Sequence, residues 1–218
     1  MQYSNFDSIG RSISKLGFGL MRLPKKEENS EIIDRDEAFR LIDLAMKSGV
    51  NSYDTAYFYH GGDSEQFVKE ALSRYPRESF CLATKLPSGV IKDKEKNTEE
   101  IFNGQLKKCG VDYFDFYLFH NVTERNVDDY LNEDYGLLKY CLKQKELGRI
   151  KYLGFSAHGE LPVLRKFLEK YGKYMEFCQL QINYIDWTFQ DAKAKVELMR
   201  EYNIPVWVME PVRGGTLA

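Results

Sequence analysis

The sequence predicts an α/β fold in which strands and helices alternate, as in a (β/α)8 TIM barrel, preceded by an N-terminal β-hairpin. Short apolar runs recur along the 218 residues at intervals of about one strand plus one helix, and the segments between them carry apolar residues at helical spacing. Five of these runs end in a polar residue: Asp54, Lys85, His120, Ser156 and Gln179. In such barrels the active site lies at the carboxyl ends of the strands, so these side chains are expected to meet there.

The predicted strands are short runs rich in aromatic and branched residues and bounded by turn residues. In chain order they cover residues 16–19, 51–55, 80–84, 114–119, 151–155, 177–183 and 206–209. Before them, residues 1–15 alternate polar and apolar side chains around a turn signal at Ser8 to Arg11, which predicts the hairpin.

Helices are predicted between the strands because their apolar residues recur every three or four positions. Three helices are expected to begin at Asp34 or Asp36, at Asp63 or Ser64, and at Thr98. For the other three, the first apolar residues of the buried face are Leu137, Leu161 and Ala194. Gly49 and Gly148 are expected to end two of them. Residues 87–97 and 121–134 are polar and are predicted to be loops.

We expect residues 1–218 to form a single barrel domain that lacks the C-terminal part of the barrel, because a closed barrel has eight strands and only seven are found. Open edge strands expose unpaired backbone groups, so self-association through the barrel edges is a further expectation. The sequence leaves open three explanations for the missing strand: the chain is a fragment, it is truncated, or a second copy closes the gap in the barrel.

The composition argues against several classes of function. Lys+Arg 31 against Asp+Glu 33 gives a net charge of −2, which offers no electrostatic case for binding nucleic acid or an anionic membrane. No apolar run reaches the roughly 18 residues that a membrane span needs. The four cysteines show neither disulfide-like nor metal-ligand spacing, so we expect no metal site and a reducing, cytoplasmic location. They are Cys81, Cys109, Cys141 and Cys178.

The stretch 54–65 resembles the aldo-keto reductase family. In that family a strand-ending Asp precedes the catalytic Tyr by five positions, as Asp54 precedes Tyr59, and a glycine turn and a Ser-Glu pair open the next helix. Further matching segments occur on both sides of this stretch and in the family's order: 16–19, 83–85, 115–120, 154–156 and 179–181. Segments 21–24 and 209–215 are similar to a bacterial branch whose members often carry a C-terminal ferredoxin-like iron–sulfur segment.

This resemblance implies an oxidoreductase that transfers hydride from NADPH, or from NADH, to the carbonyl of an aldehyde or ketone. Tyr59 is the candidate general acid, because a free phenol has a pKa of about 10 and holds its proton at neutral pH. A nearby cation should bring that pKa closer to the working pH, and Lys85 is the obvious cation. Asp54 would hold Lys85 in place, and His120 could donate a hydrogen bond to the carbonyl oxygen.

Hydride transfer requires a cofactor, because no side chain delivers hydride. The resemblance implies that Ser156 and Gln179 bind the nicotinamide carboxamide and that Asp54 also belongs to the cofactor site. Met209 stands where the family commonly stacks an aromatic ring, and Ala157 replaces the usual Asn, which removes one hydrogen bond. A catalytically silent cofactor-binding or regulatory protein is the alternative, and a structural barrel without a ligand is a third. The identity of the carbonyl substrate stays open.

Overall fold

The computed structural model describes residues 1–6, 11–27, 29–92 and 97–218. The first two strands, β1 (Tyr3–Phe6) and β2 (Arg11–Ser14), form an antiparallel hairpin, as predicted, whose turn residues 7–10 lie outside the described part of the chain. The other described strands form one parallel sheet that curls into an incomplete barrel. They are β3 (Phe18–Gly19), β4 (Ser52–Asp54), β5 (Cys81–Leu86), β6 (Phe114–Val122), β7 (Ile150–Ala157), β8 (Phe177–Gln181) and β9 (Val206–Met209).

The sheet follows chain order from β3 to β9, and each strand pairs in parallel with the next. This confirms the predicted α/β fold with an incomplete barrel and an N-terminal hairpin. β3 and β9 are the outer strands of the sheet. Self-association through them stays a prediction.

Helices follow the strands and pack on the outside of the sheet. They are α1 (Arg35–Lys47), α2 (Ser64–Leu72), α3 (Ser88–Lys92), α4 (Thr98–Cys109), α5 (Val127–Leu131), α6 (Leu137–Glu146), α7 (Leu161–Tyr171), α8 (Asp186–Phe189) and α9 (Ala192–Glu201). Short 3-10 helices cover Tyr59–Gly62, Arg77–Ser79, Glu133–Tyr135, Gly172–Tyr174 and Arg213–Gly215.

Helix starts follow local capping chemistry. Asp34, rather than Asp36, caps α1, because its side chain accepts a hydrogen bond from the backbone N–H of Glu37 at 3.3 Å. Asn97 caps α4 in a reciprocal capping box with Glu100. These contacts satisfy backbone N–H groups that have no partner within the helix.

The predicted loops were partly wrong. Residues 87–97 contain the helix α3, and residues 121–134 contain α5. The short helix α8 was also not predicted, and β3, β4 and β8 are shorter than expected. Each of these helices spans only one turn or slightly more, and apolar periodicity cannot be recognised over so few residues.

Alternate residues of the strands face opposite sides of the curled sheet. One face packs against the helices in the larger apolar core, where Leu82 and Phe155 are fully buried. The other face lines the barrel interior with a smaller cluster that includes Phe116 and Phe177, and the Trp207 ring lies 4.3 and 4.8 Å from these two rings. The interior is therefore a packed core below the barrel mouth.

The hairpin closes the amino end of this interior. Ile13 is 3% exposed and belongs to the interior cluster. Its neighbour Ser14 exchanges two hydrogen bonds with Asn51, which precedes β4: Ser14 N–H donates to Oδ1 at 2.7 Å, and Asn51 N–H donates to Oγ at 3.0 Å. The amino end is thus covered by side chains, and the polar strand ends lie at the opposite end.

The four cysteines are free and buried. Within the described ranges, no helix combines the length and the apolar character needed to cross a bilayer.

Candidate active site

The strand ends bring a polar layer together above the interior core. In β5, Cys81 and Ala83 belong to the interior cluster, so Lys85, two residues further, faces the same side. By the same period of two, Phe116 and Leu118 in β6 place His120 on the interior side. Ser156 and Gln179 follow in β7 and β8 in matching register, and Asp54 ends β4.

Lys85 is the centre of this layer. Its side chain is 1% exposed, and its ammonium donates to both carboxylate oxygens of Asp54 at 2.7 and 2.8 Å. It also donates to the Thr55 carbonyl at 2.9 Å and to the Tyr59 hydroxyl oxygen at 3.1 Å. A buried ammonium is stable only when it is paired and hydrogen-bonded, and these partners meet that requirement.

A tight turn places Tyr59 beside Lys85. Tyr59 begins the 3-10 helix that follows β4, and His60, Gly61 and Gly62 all have positive φ, at +53°, +62° and +93°. Glycine adopts such angles at no steric cost, and His60 is held by the Leu23 N–H, which donates to its Nε2 at 3.2 Å. The turn reverses the direction of the chain before α2 and places the Tyr59 hydroxyl within hydrogen-bond distance of the Lys85 ammonium.

The surroundings keep Tyr59 protonated. Burial raises the pKa of Tyr59 above its ordinary value, and the Lys85 charge opposes this effect without overcoming it. The sequence predicted that Lys85 would bring the phenol pKa closer to neutrality, but burial of the phenol is the larger effect. For Lys85, burial by itself lowers the pKa, yet Asp54 and Tyr59 outweigh it, so the pKa is raised and the ammonium stays charged.

His120 lies beside the ring of Tyr59. Its ring is 6.0 Å from the Tyr59 ring, at an interplanar angle of 80°. Burial and the nearby Lys85 charge lower the pKa of His120 to about 3. The imidazole is therefore neutral at physiological pH and carries one N–H donor.

The remaining predicted residues line the same mouth. Ser156 is 1% exposed, and its Oγ accepts a hydrogen bond from the Asn121 N–H at 2.7 Å, which leaves the hydroxyl able to donate its own proton. Gln179 is 8% exposed and lies next to Ser156 in the sheet register. Met209 ends β9 and is partly buried.

The sequence did not predict the buried contacts of three polar residues behind the mouth: Glu65, which it placed only in the Ser-Glu pair that opens a helix, Gln105 and Tyr130. The Tyr130 hydroxyl lies 2.9 Å from the Leu86 carbonyl and 2.5 Å from the His120 carbonyl, so it bridges the ends of β5 and β6. Gln105 is fully buried on α4. It follows Ile101 by four positions and Phe102 by three, so its place within an apolar helix stripe was a usable signal.

One known protein family matches most of this sequence. The model of the aldo/keto reductase family matches residues 15–218. The chain belongs to the aldo/keto reductase family. The alternating fold, the mouth at the strand ends and the matched segment agree with one another.

Aldo/keto reductases are also found among the relatives of known sequence and structure. The chain is 28% identical over 213 residues to probable aldo-keto reductase 1 of Glycine max, covering 94% of this chain and 58% of that protein. It is 24% identical over 224 residues to the NADH-specific methylglyoxal reductase of Escherichia coli, covering 94% and 66%. The holo form of aldo-keto reductase AKR11C1 from Bacillus halodurans superposes with a TM-score of 0.74 at 26% identity, covering 100% of this chain and 69% of that one. The chain thus spans about three fifths of the length of the soybean relative.

Proposed function

We propose that this protein reduces the carbonyl group of an aldehyde or ketone with hydride from NADPH or NADH. One observation carries the proposal: a buried ammonium, that of Lys85, holds the hydroxyl oxygen of Tyr59 at 3.1 Å while paired with Asp54. Membership of a family of reductases supports it. Because the chain spans only part of its relatives' length, the activity of the whole protein is part of the proposal.

Tyr59 is the proposed proton donor. The Lys85 ammonium already donates to the phenol oxygen, so the phenol's own proton must point to a different acceptor. A substrate carbonyl oxygen at the mouth would be that acceptor, and it gains negative charge as hydride reaches the carbonyl carbon. The Tyr59 O–H bond then breaks, its proton goes to the new alcohol oxygen, and Lys85 stabilises the phenolate that remains.

The other two residues of the group have supporting roles. Asp54 fixes the Lys85 ammonium by contacts with both of its carboxylate oxygens and compensates its buried charge. His120, neutral because of its lowered pKa, can donate a hydrogen bond to the carbonyl oxygen and orient it without competing as an acid.

The strand-end residues fit a nicotinamide. A carboxamide needs both a donor and an acceptor, and the buried Ser156 hydroxyl and Gln179 amide provide both in adjacent strands. The bound nicotinamide would supply the hydride. Met209 would cover one face of its ring with a polarisable thioether, and Asp54 would line the reacting end of the site. NADPH is the first candidate from the family resemblance, and the name of the Escherichia coli relative makes NADH the second.

The test compares carbonyl reduction by the chain and by Tyr59→Phe with each cofactor and a panel of aldehydes and ketones. We expect Tyr59→Phe to lower kcat about 100-fold or more, since general acid catalysis contributes about 10²–10⁴-fold. Tyr140→Phe is the matched control, because that hydroxyl is buried at α6 and has no hydrogen-bond partner among the described residues. Equal loss in both variants, or no loss in Tyr59→Phe, would rule out the proposed role.

A further inference from the structure

A buried polar network on the helix side of β5 lies directly behind Lys85. Glu65, in the first turn of α2, is fully buried, and its Oε1 accepts hydrogen bonds from the Thr84 hydroxyl at 2.7 Å and from the Gln105 amide at 2.6 Å. The Gln105 amide also lies 3.0 Å from the Lys85 carbonyl oxygen. On the far side, the Tyr117 hydroxyl donates to Gln105 Oε1 at 2.6 Å.

The position of this network in the sheet gives it a specific task. Among the described residues, pairing between β4 and β5 ends at Asp54 and Ala83, and the Thr55 N–H donates one further backbone hydrogen bond to the Ala83 carbonyl. In the part of the chain that the structure describes, the end of β5 beyond Ala83 pairs with β6 and with no other strand. Here Gln105 of α4 holds the backbone carbonyl of Lys85, and Glu65 of α2 holds the side chain of Thr84.

The network is also costly, which argues that it does more than fill space. Burial raises the pKa of Glu65, and its Oε2 has no hydrogen-bond partner among the described residues. An apolar side chain at such a position would avoid the desolvation penalty. The hydrogen bonds that the network does make lie in a low-dielectric interior, where they are stronger than in water and can fix one backbone geometry.

We propose that Glu65 and Gln105 are positioning residues that hold the end of β5 so that the Lys85 ammonium meets the Tyr59 hydroxyl. Both side chains lie on the helix side of β5; Glu65 acts through the Thr84 hydroxyl and Gln105 through the Lys85 carbonyl. This inference rests on the proposed function. It assigns a role to two residues outside the group of Asp54, Tyr59, Lys85 and His120.

The first test uses Gln105→Met, which keeps the side-chain volume close to that of Gln and removes the hydrogen bonds of the amide to Glu65, Lys85 and Tyr117. Gln144→Met is the matched control: Gln144 is a buried glutamine on α6 that accepts from Arg149 and has no hydrogen bond to β5 among the described contacts. Both variants should unfold at lower temperature. Only Gln105→Met should lower kcat, by about tenfold to hundredfold at nearly unchanged KM for the cofactor, because misplacing a reacting group by about 1 Å costs up to about that much.

A second pair separates hydrogen bonding from packing. Glu65→Gln keeps an oxygen that can accept from Thr84 and Gln105, whereas Glu65→Leu keeps only the volume. We expect kcat to fall in the order wild type, Glu65→Gln, Glu65→Leu. The ionisation of Tyr59 is followed by its tyrosinate absorbance, after subtraction of the titration of a Tyr59→Phe version of each variant. The midpoint of this titration should shift to higher pH in Glu65→Leu.

The outcomes are distinct. If Gln105→Met matches Gln144→Met in kcat, and Glu65→Leu matches Glu65→Gln in kcat and in the Tyr59 titration, the positioning role is overturned. If Tyr59→Phe and Lys85→Met also retain full activity, the proposed function itself has failed. Loss of activity in Tyr59→Phe and Lys85→Met, with full activity in both Gln105→Met and Glu65→Leu, overturns the positioning role alone.

Discussion

The pairing of Lys85 with Asp54 makes a quantitative prediction for Lys85→Met. This substitution leaves the Asp54 carboxylate without its cation, and removing one partner of a buried ion pair costs about 3–5 kcal/mol of unfolding free energy. The Asp54 side chain is 24% exposed, so water can partly solvate the unpaired carboxylate. We therefore expect a cost at the lower end, about 3 kcal/mol. For a chain of this size that corresponds to a fall in Tm of about 6–12 °C.

The assay is thermal unfolding followed by circular dichroism at neutral pH, for Lys85→Met, Asp54→Asn and the double variant. Asp54→Asn alone strands a lysine that is 1% exposed, so it should also be destabilising. The double variant removes both charges and should be less destabilised than the sum of the two single variants, by at least about 1 kcal/mol. Additive losses would refute the reasoning, because they would mean that the two groups do not interact in the folded protein.

Three further predictions concern the neighbourhood of the site and the barrel interior. The lowered pKa of His120, about 3 against 6.5, means that the unfolded chain binds one more proton between these values, so wild-type stability falls as pH decreases from 6.5. In His120→Asn, the fall in unfolding free energy with decreasing pH should be smaller by up to about 1.4 kcal/mol per pH unit. Urea unfolding at several pH values measures this, and equal slopes of unfolding free energy against pH in the two proteins would contradict the assignment. Ile13→Ala should cost about 2–4 kcal/mol in urea unfolding, since Ile13 is buried in the interior cluster; a loss below about 1 kcal/mol would mean that the hairpin does not close the barrel. Gly154→Ala should destabilise by about 1–3 kcal/mol or more, because the added methyl would lie 2.6 Å from the ring and carbonyl of Phe177, and unchanged Tm would show that this contact can relax.

Much of the fold was predictable because strand and helix periods are local properties of the sequence. The strands β4 and β5 illustrate this point: the apolar runs that lead into Asp54 and Lys85 predict that both side chains lie at the same end of a parallel sheet. The helices α3, α5 and α8 were missed because each is too short to show a period.

The network behind the site was harder to predict because it depends on contacts between distant elements. Glu65 could be recognised as part of a helix start, but its burial against Thr84 and Gln105 follows from the packing of α2 and α4 on β5. The pKa of Tyr59 is a similar case. The sequence indicates that a cation lies nearby, but not how completely the phenol is removed from water, and burial decides the direction of the shift.

The sharpest test of the proposed chemistry is a direct titration of the Tyr59 ring by NMR with isotope-labelled tyrosine, the resonance being assigned by its loss in Tyr59→Phe. We predict that this phenol is protonated at neutral pH, and that its ionisation midpoint rises in Lys85→Met, because the ammonium that favours the phenolate is gone. A phenol already ionised at neutral pH, or a midpoint that Lys85→Met leaves in place, would contradict the account.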